Sequence, residues 1–368
     1  MRARDKHQTP PMGALAGAGK PEEELEAQCR AAILEAQQGG KGGMQGEGGG
    51  MEEQERPVSE KLTQIVRQKG WPPRFRPLLW AWSGTARRRA AEAHGRTYAA
   101  MVSHRRPPDA STCLAEIERD LGRTLPGQRG PDGEEDFFGA GAGRDRLRNV
   151  LAAYASFNPT VGYCQSMNFV AAVLLLQLRD EEAAFWVLVT LVEDVLPGYY
   201  HRSLAGLRVD QMLLESLVET EIPELAEKMR SLSLDLTFVS TNWLLCIFIN
   251  SLPWDCVLRL FDILLQDGAS DVLLRTAVGL LKLLQPKILA CPSQEDLLGA
   301  LKPKDGPLTL LRGKRIDPGT LMRVTFTQVR PLKDLAARRE ELAAAQRAKM
   351  RYSEKSDILT SPFPVCGL

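Results

Sequence analysis

Helix signals recur along this chain from Val58 onward, whereas convincing strand alternation does not occur. One well-marked segment starts at Asp180, a residue type favoured at helix N-caps, and two glutamates that complement the helix dipole follow it. The apolar stretch Ala183–Val192 comes next, and Pro197 stops it. Such signals place the strongest restriction on the fold, because they confine the backbone to helices of limited length.

Two further segments carry start and stop signals of the same kind. Pro253 suits the first position of a helix, and Gly268 is the residue type that ends one in the left-handed conformation. Asp271 can cap the next helix, whose apolar positions end before Pro286. We therefore expect an all-α fold built from many short and medium helices.

Both ends of the chain differ in composition from this helical body. Residues 1–56 include the glycine-rich stretch Gly39–Gly50, which has too little apolar surface to offset the entropy of ordering it. The pattern over Glu22–Gln37 is compatible with a short helix, but nothing else within the tail would hold it. We expect a disordered tail over residues 1–56 and a flexible tail over residues 351–368.

Two segments inside the body also have unusual compositions. Residues 127–143 are rich in Gly, Asp and Glu and predict a mobile surface loop. The charged segment Lys333–Met350 predicts a helix, with Leu335 and Leu342 one heptad apart. Three interpretations of this C-terminal helix stay open: it docks on the body, it binds a partner, or it is solvated.

Charge and composition argue against several functional classes. The 47 Lys and Arg residues nearly balance 46 Asp and Glu, so the net charge of +1 gives no global attraction to nucleic acid or an anionic membrane. The longest apolar runs are far shorter than the roughly 20 residues of a membrane span. Seven cysteines without C-x-x-C spacing and four unpaired histidines indicate reduced thiols and no metal site. We expect a cytoplasmic protein whose contact with a membrane would be peripheral or through a partner.

Motifs for a bound nucleotide or cofactor fail in this sequence. Gly13–Lys20 superficially suggests a phosphate-binding loop, but Ala14 occupies the first glycine position and Pro21 the Ser/Thr position. The glycines at 139–143 lack the dinucleotide-binding spacing. We expect no cofactor.

Three sequence clusters carry candidate functional residues. The first runs from Gly70 to Trp80, where Arg76 and Trp80 are four residues apart. That spacing lets the guanidinium lie near the indole face. Taken alone, this cluster favours a packing device over a site.

The second cluster spans Ile117–Pro126 and places Asp120 and Arg123 on one face near a helix end. Pro126 disfavours helix at the residue before it, so Arg123 would project outward while Asp120 restrains it. In isolation, a surface salt bridge worth under about 1 kcal/mol is the favoured interpretation.

The third cluster, Asn158–Asn168, is a turn that leads into an apolar helix beginning near Met167. At such a junction Gln165 can point out of the fold from a rigid base. Alternatively, its amide satisfies loose backbone groups at the start of the helix.

Together these clusters resemble the signature motifs of the TBC-domain family of Rab GTPase-activating proteins. The pattern I-x-x-D-x-x-R-T-x-P is matched by Ile117, Asp120, Arg123, Thr124 and Pro126. The pattern G-Y-x-Q-G-M-N is matched by Gly162, Tyr163, Gln165, Met167 and Asn168. The opening pattern G-x-P…R…W is matched by Gly70, Pro72, Arg76 and Trp80. A later block resembles W…LF…LP…R-I-W-D and runs from Trp243 to Asp262. Four blocks in the family's order make the resemblance specific over residues 70–268.

The chain departs from the family pattern at a few positions. Ser166 stands where the family usually has glycine, which costs about 1–2 kcal/mol if the backbone needs a positive φ there and nothing if it needs only a small residue. Phe261 replaces a tryptophan and Pro77 a common glycine. The 127–143 loop follows the arginine motif closely and could alter how Arg123 approaches a partner.

The resemblance implies a multi-helix TBC domain over residues 57–350 that accelerates GTP hydrolysis on a Rab-type small GTPase. Arg123 would enter the partner's nucleotide site as an arginine finger, and Gln165 as a glutamine finger. The supporting residues would be Asp120, Tyr163, Thr124, Arg76 and Trp80.

The implied partner is a GTP-bound Rab, to which the GTP and Mg²⁺ would belong. The chain would then be a GTPase activator without substrate chemistry of its own. A rival interpretation is a non-catalytic helical module that binds an active GTPase, and another is a helical scaffold with no GTPase partner. The motifs do not encode which Rab is recognised.

Overall fold

The computed structural model describes residues 23–31, 60–103, 110–131, 133–139, 141–268 and 271–360. Helices make up most of this part of the chain. In order they are α1 (23–31), α2 (Glu60–Lys69), α3 (Arg76–Ser83), α4 (Thr85–Glu92), α5 (Tyr98–Ser103), α6 (Ala110–Leu121), α7 (Ala142–Phe157), α8 (Met167–Leu178), α9 (Glu181–Thr190), α10 (Ala205–Glu221), α11 (Pro223–Ser231), α12 (Thr237–Leu245), α13 (Trp254–Asp267), α14 (Asp271–Leu289), α15 (Gln294–Leu301), α16 (Pro318–Thr327) and α17 (Leu335–Thr360). Within the same ranges, β structure is limited to one isolated bridge between Thr309 and Arg315. The predicted all-α fold is confirmed.

The sequence signals for helix ends hold in most places. Asp180 caps α9 by accepting a hydrogen bond from the Ala183 amide at 2.6 Å. Gly268 ends α13 with a φ of +62°. The predicted end before Pro286 is wrong, because α14 continues through this proline to Leu289. Pro286 lacks one helical hydrogen bond, but burial of Leu284 and Ile288 on either side of it keeps the turn in place.

The first half of the domain surrounds α8 and α9. Both helices are apolar on almost all sides, as in MNFVAAVLLLQL of α8, so they fold only where neighbours cover every face. Helices α3 and α7 pack against both of them, and α6 packs against α7 and α8. The ends of α6 and α8 that carry the second and third sequence clusters therefore meet.

The second half surrounds α14, which packs against α10, α11, α12, α15 and α16. Helix α17 lies on α10, where Arg339 forms two hydrogen bonds with the buried carboxylate of Asp210, at 2.7 and 2.6 Å. Leu335 and Leu342 pack against the core beside it. Of the three interpretations of the C-terminal helix, the structure therefore shows docking on the body.

The two halves meet where α3 packs against α13. The Arg76 guanidinium donates to both oxygens of Asp262, with Nε 2.8 Å from Oδ1 and Nη2 3.0 Å from Oδ2. The Trp80 indole and the Trp71 amide donate to the same carboxylate at 2.9 and 3.1 Å. Asp262 is completely buried, so Arg76 and Trp80 act as structural supports.

Helix α2 is held to the same junction by Arg259. Its Nη1 donates to the Val66 carbonyl at 2.8 Å and its Nη2 to the Arg67 carbonyl at 3.2 Å. Burial lowers the pKa of Arg259 to about 10. A Cβ at Gly70 would lie 2.0 Å from Nη1, so this glycine leaves the space that the guanidinium fills.

Part of the expected N-terminal tail is helical. In α1, Cys29 is completely buried and Glu26 forms an ion pair with Arg74. The Arg30 guanidinium lies over the Phe75 ring, 5.4 Å from its centroid. These partners belong to the body, which is why the composition of the tail alone did not predict them.

The remaining tail predictions fall largely outside the described residues. Those at 1–22, 32–59 and 361–368 belong to this group. At the C-terminus, however, α17 extends to Thr360, so residues 351–360 are helical where a flexible tail was expected.

The 127–143 segment differs from the mobile surface loop that its composition predicts. Phe137 and Phe138 are buried in the core, 5% and 1% exposed. The Phe137 amide also donates to the Gln128 carbonyl at 2.8 Å, and α7 already begins at Ala142. Two aromatic side chains therefore anchor a segment whose other residues are mostly glycine or polar.

Replacement of Asp262 by alanine should lower the free energy of unfolding by about 3–5 kcal/mol, because Arg76 would stay buried without its counter-charge. Urea denaturation followed by circular dichroism measures this loss. The matched control is Asp255→Ala, which removes the solvent-exposed partner of Arg315 and should cost at most about 1 kcal/mol. Equal losses in the two variants would contradict the role given to the junction.

Candidate functional site

Arg123 lies in the turn that follows α6, as the sequence predicts. Its side chain is 50% exposed, and its Nη2 lies 2.5 Å from Oδ1 of Asp120, which is only 5% exposed. The Thr124 hydroxyl donates to the Asp120 carbonyl at 2.7 Å and holds the turn against the end of the helix. The guanidinium therefore projects into solvent from a fixed base.

The loop before α8 is fixed at its start by Asn158. Its Oδ1 accepts hydrogen bonds from the amides of Thr160 and Val161, at 3.1 and 3.2 Å. Its Nδ2 donates to Glu193 at 2.8 Å, and Glu193 also accepts from the Tyr154 hydroxyl at 2.5 Å. The loop thus starts from a hydrogen-bonded turn that is connected, through Glu193, to Tyr154 in α7.

Gln165 lies at the exposed tip of this loop. Within the described part of the chain, its carboxamide has no hydrogen-bond partner. The amide therefore does not satisfy backbone groups at the start of α8, and the interpretation of an outward-pointing side chain is the one that the geometry supports.

Ser166 stands where the family usually has glycine, and the structure shows which backbone conformation this position adopts. Its backbone is left-handed, with φ +93° and ψ −24°, so the position has the positive φ that favours glycine. Ser166 is buried, as is the Cys246 thiol, whose pKa burial raises to about 11. The strain thus lies directly beside Gln165.

Buried hydrogen bonds join the two clusters beneath the exposed side chains. The Tyr163 hydroxyl donates to Oδ2 of Asp120 at 2.6 Å, and Nδ2 of Asn168 donates to Oγ1 of Thr124 at 2.8 Å. Burial, and secondarily the bond to Asp120, raises the pKa of Tyr163 well above its ordinary value, so the hydroxyl keeps its proton. One polar network therefore supports both Arg123 and Gln165.

The structure unites five of the seven predicted site residues: Arg123, Gln165, Asp120, Tyr163 and Thr124. The other two, Arg76 and Trp80, lie at the α3–α13 junction, where both donate to Asp262. Sequence reasoning gave no role to Asn168, although an asparagine at the start of an otherwise apolar helix is a signal visible in the sequence; the structure shows that its amide is completely buried.

The exposed groups are a guanidinium and a carboxamide. A guanidinium is a planar fork that matches phosphate oxygens, and a carboxamide can accept a hydrogen bond from water while donating another. Among the described residues, no group of three or more His, Cys, Asp and Glu side chains is arranged to hold a metal ion. The described helices include none that is both long and apolar enough to cross a membrane.

Comparison with known proteins identifies relatives of this domain. Residues 73–289 match the family model described as the Rab-GTPase-TBC domain. TBC1 domain family member 2A of Mus musculus is 34% identical over 296 residues, which are 78% of this chain and 30% of that protein. Growth hormone-regulated TBC protein 1-A of Danio rerio is 34% identical over 245 residues, 66% of this chain and 65% of that protein. The chain thus spans about a third to two thirds of the length of these relatives.

Solved structures share the fold. The TBC domain of the Chlamydomonas flagellar RabGAP is 27% identical, with a TM-score of 0.61 over 83% of this chain and 95% of that one. The Ypt/Rab-GAP domain of Gyp1p is 16% identical, with a TM-score of 0.59 over 80% of this chain and 97% of that one. The second likeness, at this identity, concerns the fold alone.

Substitutions at position 166 should rank in the order that a positive φ dictates. Ser166→Gly and Ser166→Ala both remove the hydroxyl, but only alanine keeps the left-handed strain of about 1–2 kcal/mol. After the larger chain entropy of unfolded glycine is subtracted, Ser166→Gly should be the more stable of the two by about 1 kcal/mol. Thermal unfolding of both variants measures the difference, and an alanine variant at least as stable as the glycine variant would contradict the strained geometry.

Proposed function

Because the chain belongs to the Rab-GTPase-TBC domain family, we propose that it accelerates GTP hydrolysis on a Rab-type small GTPase by inserting Arg123 and Gln165 into the partner's nucleotide site. One observation carries this proposal. The two side chains are exposed, and a single buried network of hydrogen bonds holds the turns that present them.

Arg123 supplies positive charge where hydrolysis needs it. Negative charge develops on the phosphate oxygens as the bond to the γ-phosphate breaks, and a guanidinium can bridge two of these oxygens. Asp120 restrains the side chain before the partner arrives, so less rotational freedom is lost on binding. Such preorganised charge stabilises the transition state without reorganising during the reaction.

Gln165 orients the attacking water. Its carbonyl oxygen accepts a hydrogen bond from the water, and its amide nitrogen donates to a phosphate oxygen. The rigid base of the loop, tied down by Asn158, limits how far the amide can move. In this arrangement the chain provides a function that small GTPases normally perform with their own glutamine.

The GTP and Mg²⁺ belong to the partner, and the chain acts on the partner's GTP without turning over a substrate of its own. We propose that it recognises the GTP-bound state, since both inserted groups need the γ-phosphate and its water. Contact with membranes would come through the bound Rab, on the cytoplasmic face.

Arg123→Ala should reduce the stimulated hydrolysis rate by about 10³-fold or more, because an arginine finger contributes roughly 10³–10⁵ in rate. Arg123→Lys should also stimulate hydrolysis poorly, because the lysine ammonium is a point charge and cannot bridge two phosphate oxygens. The rate is measured as multiple-turnover phosphate release from a panel of GTP-loaded Rab proteins. The matched control is Arg119→Ala, an exposed arginine one turn earlier on α6, which should keep near-normal activity.

The same panel decides between the proposal and its rivals. GTP-dependent binding without accelerated hydrolysis on any Rab would identify a non-catalytic effector module. The absence of GTP-dependent binding would identify a scaffold. Normal turnover by Arg123→Ala would leave the activity standing but remove this residue from the mechanism.

Gln165→Ala should be severely impaired on a normal Rab and on a Rab whose own catalytic glutamine is replaced by leucine. The wild-type domain should still accelerate hydrolysis on that glutamine-less Rab, because Gln165 positions the water in trans. Single-turnover rates at saturating domain separate slower chemistry from weaker binding. The four rates form a double-mutant cycle across the interface.

Two outcomes in this cycle would remove Gln165 from the mechanism. One is a wild-type rate with Gln165→Ala on the normal Rab. The other is the absence of any acceleration by the wild-type domain on the glutamine-less Rab. Together they would leave Arg123 as the single contributed group.

A further inference from the structure

Asn168 connects the two functional turns through its side chain. This residue lies in the first turn of α8 and is completely buried. Its Oδ1 accepts a hydrogen bond from the Ser166 amide at 3.1 Å, and its Nδ2 donates to the Thr124 hydroxyl at 2.8 Å. Thr124 directly follows Arg123 and Ser166 directly follows Gln165, so one carboxamide holds the residue next to each finger.

The bond to Ser166 acts on the backbone of Gln165 itself. The Ser166 amide belongs to the same planar peptide unit as the Gln165 carbonyl. A fixed hydrogen bond on this amide therefore sets the orientation of that peptide plane. It also holds the strained, left-handed backbone of Ser166 in place.

The bond to Thr124 belongs to a continuous chain of hydrogen bonds. Thr124 donates to the carbonyl of Asp120, whose carboxylate accepts the proton of Tyr163, and the Tyr163 oxygen lies 3.3 Å from Oδ1 of Asn168. This chain runs from Asn168 to Tyr163 and passes through both sequence clusters. A shift of either turn would have to break at least one buried bond, which is costly away from water.

An asparagine is suited to this position because it is both donor and acceptor. The Ser166 amide needs an acceptor, and the Thr124 oxygen, whose proton goes to Asp120, needs a donor. A carboxylate could provide only the first of these and a hydrophobic side chain neither. The residue reaches no solvent, so its amide is available only to the interior of the domain.

We propose that Asn168 is the positioning residue that sets Arg123 and Gln165 relative to each other. It contacts neither the GTPase nor the nucleotide and acts on hydrolysis through the two turns. This inference rests on the proposed GTPase-activating function for its effect on rate, but the coupling between the turns can be measured without any GTPase.

The first test is hydrogen–deuterium exchange on the full chain. Asn168→Ala should speed exchange in both the 120–126 and 158–168 segments, because it releases the residue next to each finger. Thr124→Val should speed exchange mainly in 120–126, since the bond between Asn168 and the Ser166 amide remains. Ile288→Val, a small core truncation in α14, is the control and should change neither segment.

The second test measures hydrolysis and binding separately on a responsive Rab. Asn168→Ala should lower the single-turnover rate by about 10²-fold, the effect expected of a displacement of about 1 Å at the reacting groups. Affinity for the Rab loaded with a non-hydrolysable GTP analogue should change by less than roughly threefold, because no contact with the partner is lost. In an Arg123→Ala background, the same substitution should lower the single-turnover rate by a much smaller factor, because one of the two groups that Asn168 positions is already absent.

Several results would overturn the inference. Unchanged exchange in 120–126 on Asn168→Ala would show that the turns are not coupled through this residue. Equal losses of rate in the normal and Arg123→Ala backgrounds would show that it does not act through the arginine.

If Asn168→Ala does not fold, Thr124→Val breaks the same bridge from the other side, and normal exchange and rate in that variant would have the same meaning. If the wild-type domain stimulates no Rab, the proposed function fails while the exchange experiment still decides the coupling.

Discussion

The buried ion pair between Arg76 and Asp262 is the contact on which the arrangement of the helices depends. A charge without solvent is costly unless every oxygen finds donors, and here each oxygen of Asp262 accepts two hydrogen bonds, from Arg76, Trp80 and Trp71. The partners are separated by 186 residues in the chain, so satisfying them brings α3 and α13 together in one geometry. Because α8 and α9 pack on α3, the base of the candidate site inherits that geometry.

In the candidate site, as at the junction of α3 and α13, a buried carboxylate has hydrogen-bond donors on both of its oxygens. Asp120 is buried and accepts from Tyr163 on one oxygen and Arg123 on the other, so the carboxylate is compensated while the far end of the arginine stays in solvent. Gln165 extends in the same way from a loop whose neighbouring residue, Ser166, has a strained backbone. The exposed guanidinium and carboxamide thus extend from segments that interior hydrogen bonds hold in place, which restricts their motion without covering them.

Residue types that favour helix ends, and the spacing of residues along a helix, made several of these features predictable from the sequence. Caps, prolines and glycines marked helix ends correctly at Asp180 and Gly268, and the spacing of Asp120 and Arg123 predicted their ion pair. Two of the predictions that needed correction have a common cause, because composition describes a segment whereas burial depends on what lies beside it. The polar 127–143 segment is anchored by two buried phenylalanines, and helix α1 is held by partners in the body.

The sequence by itself determined the helical fold class and which side chains are available for chemistry, because helix signals and motif spacings act within a few residues of one another. Only the tertiary structure decided how these residues cooperate. Thr124 and Asn168 are 44 residues apart, and no spacing rule predicts a hydrogen bond between them. The left-handed backbone of Ser166 is likewise set by the loop and helix around it. Contacts between distant segments depend on the packing of whole helices, and this packing is determined by the summed burial of the core, not by any single motif.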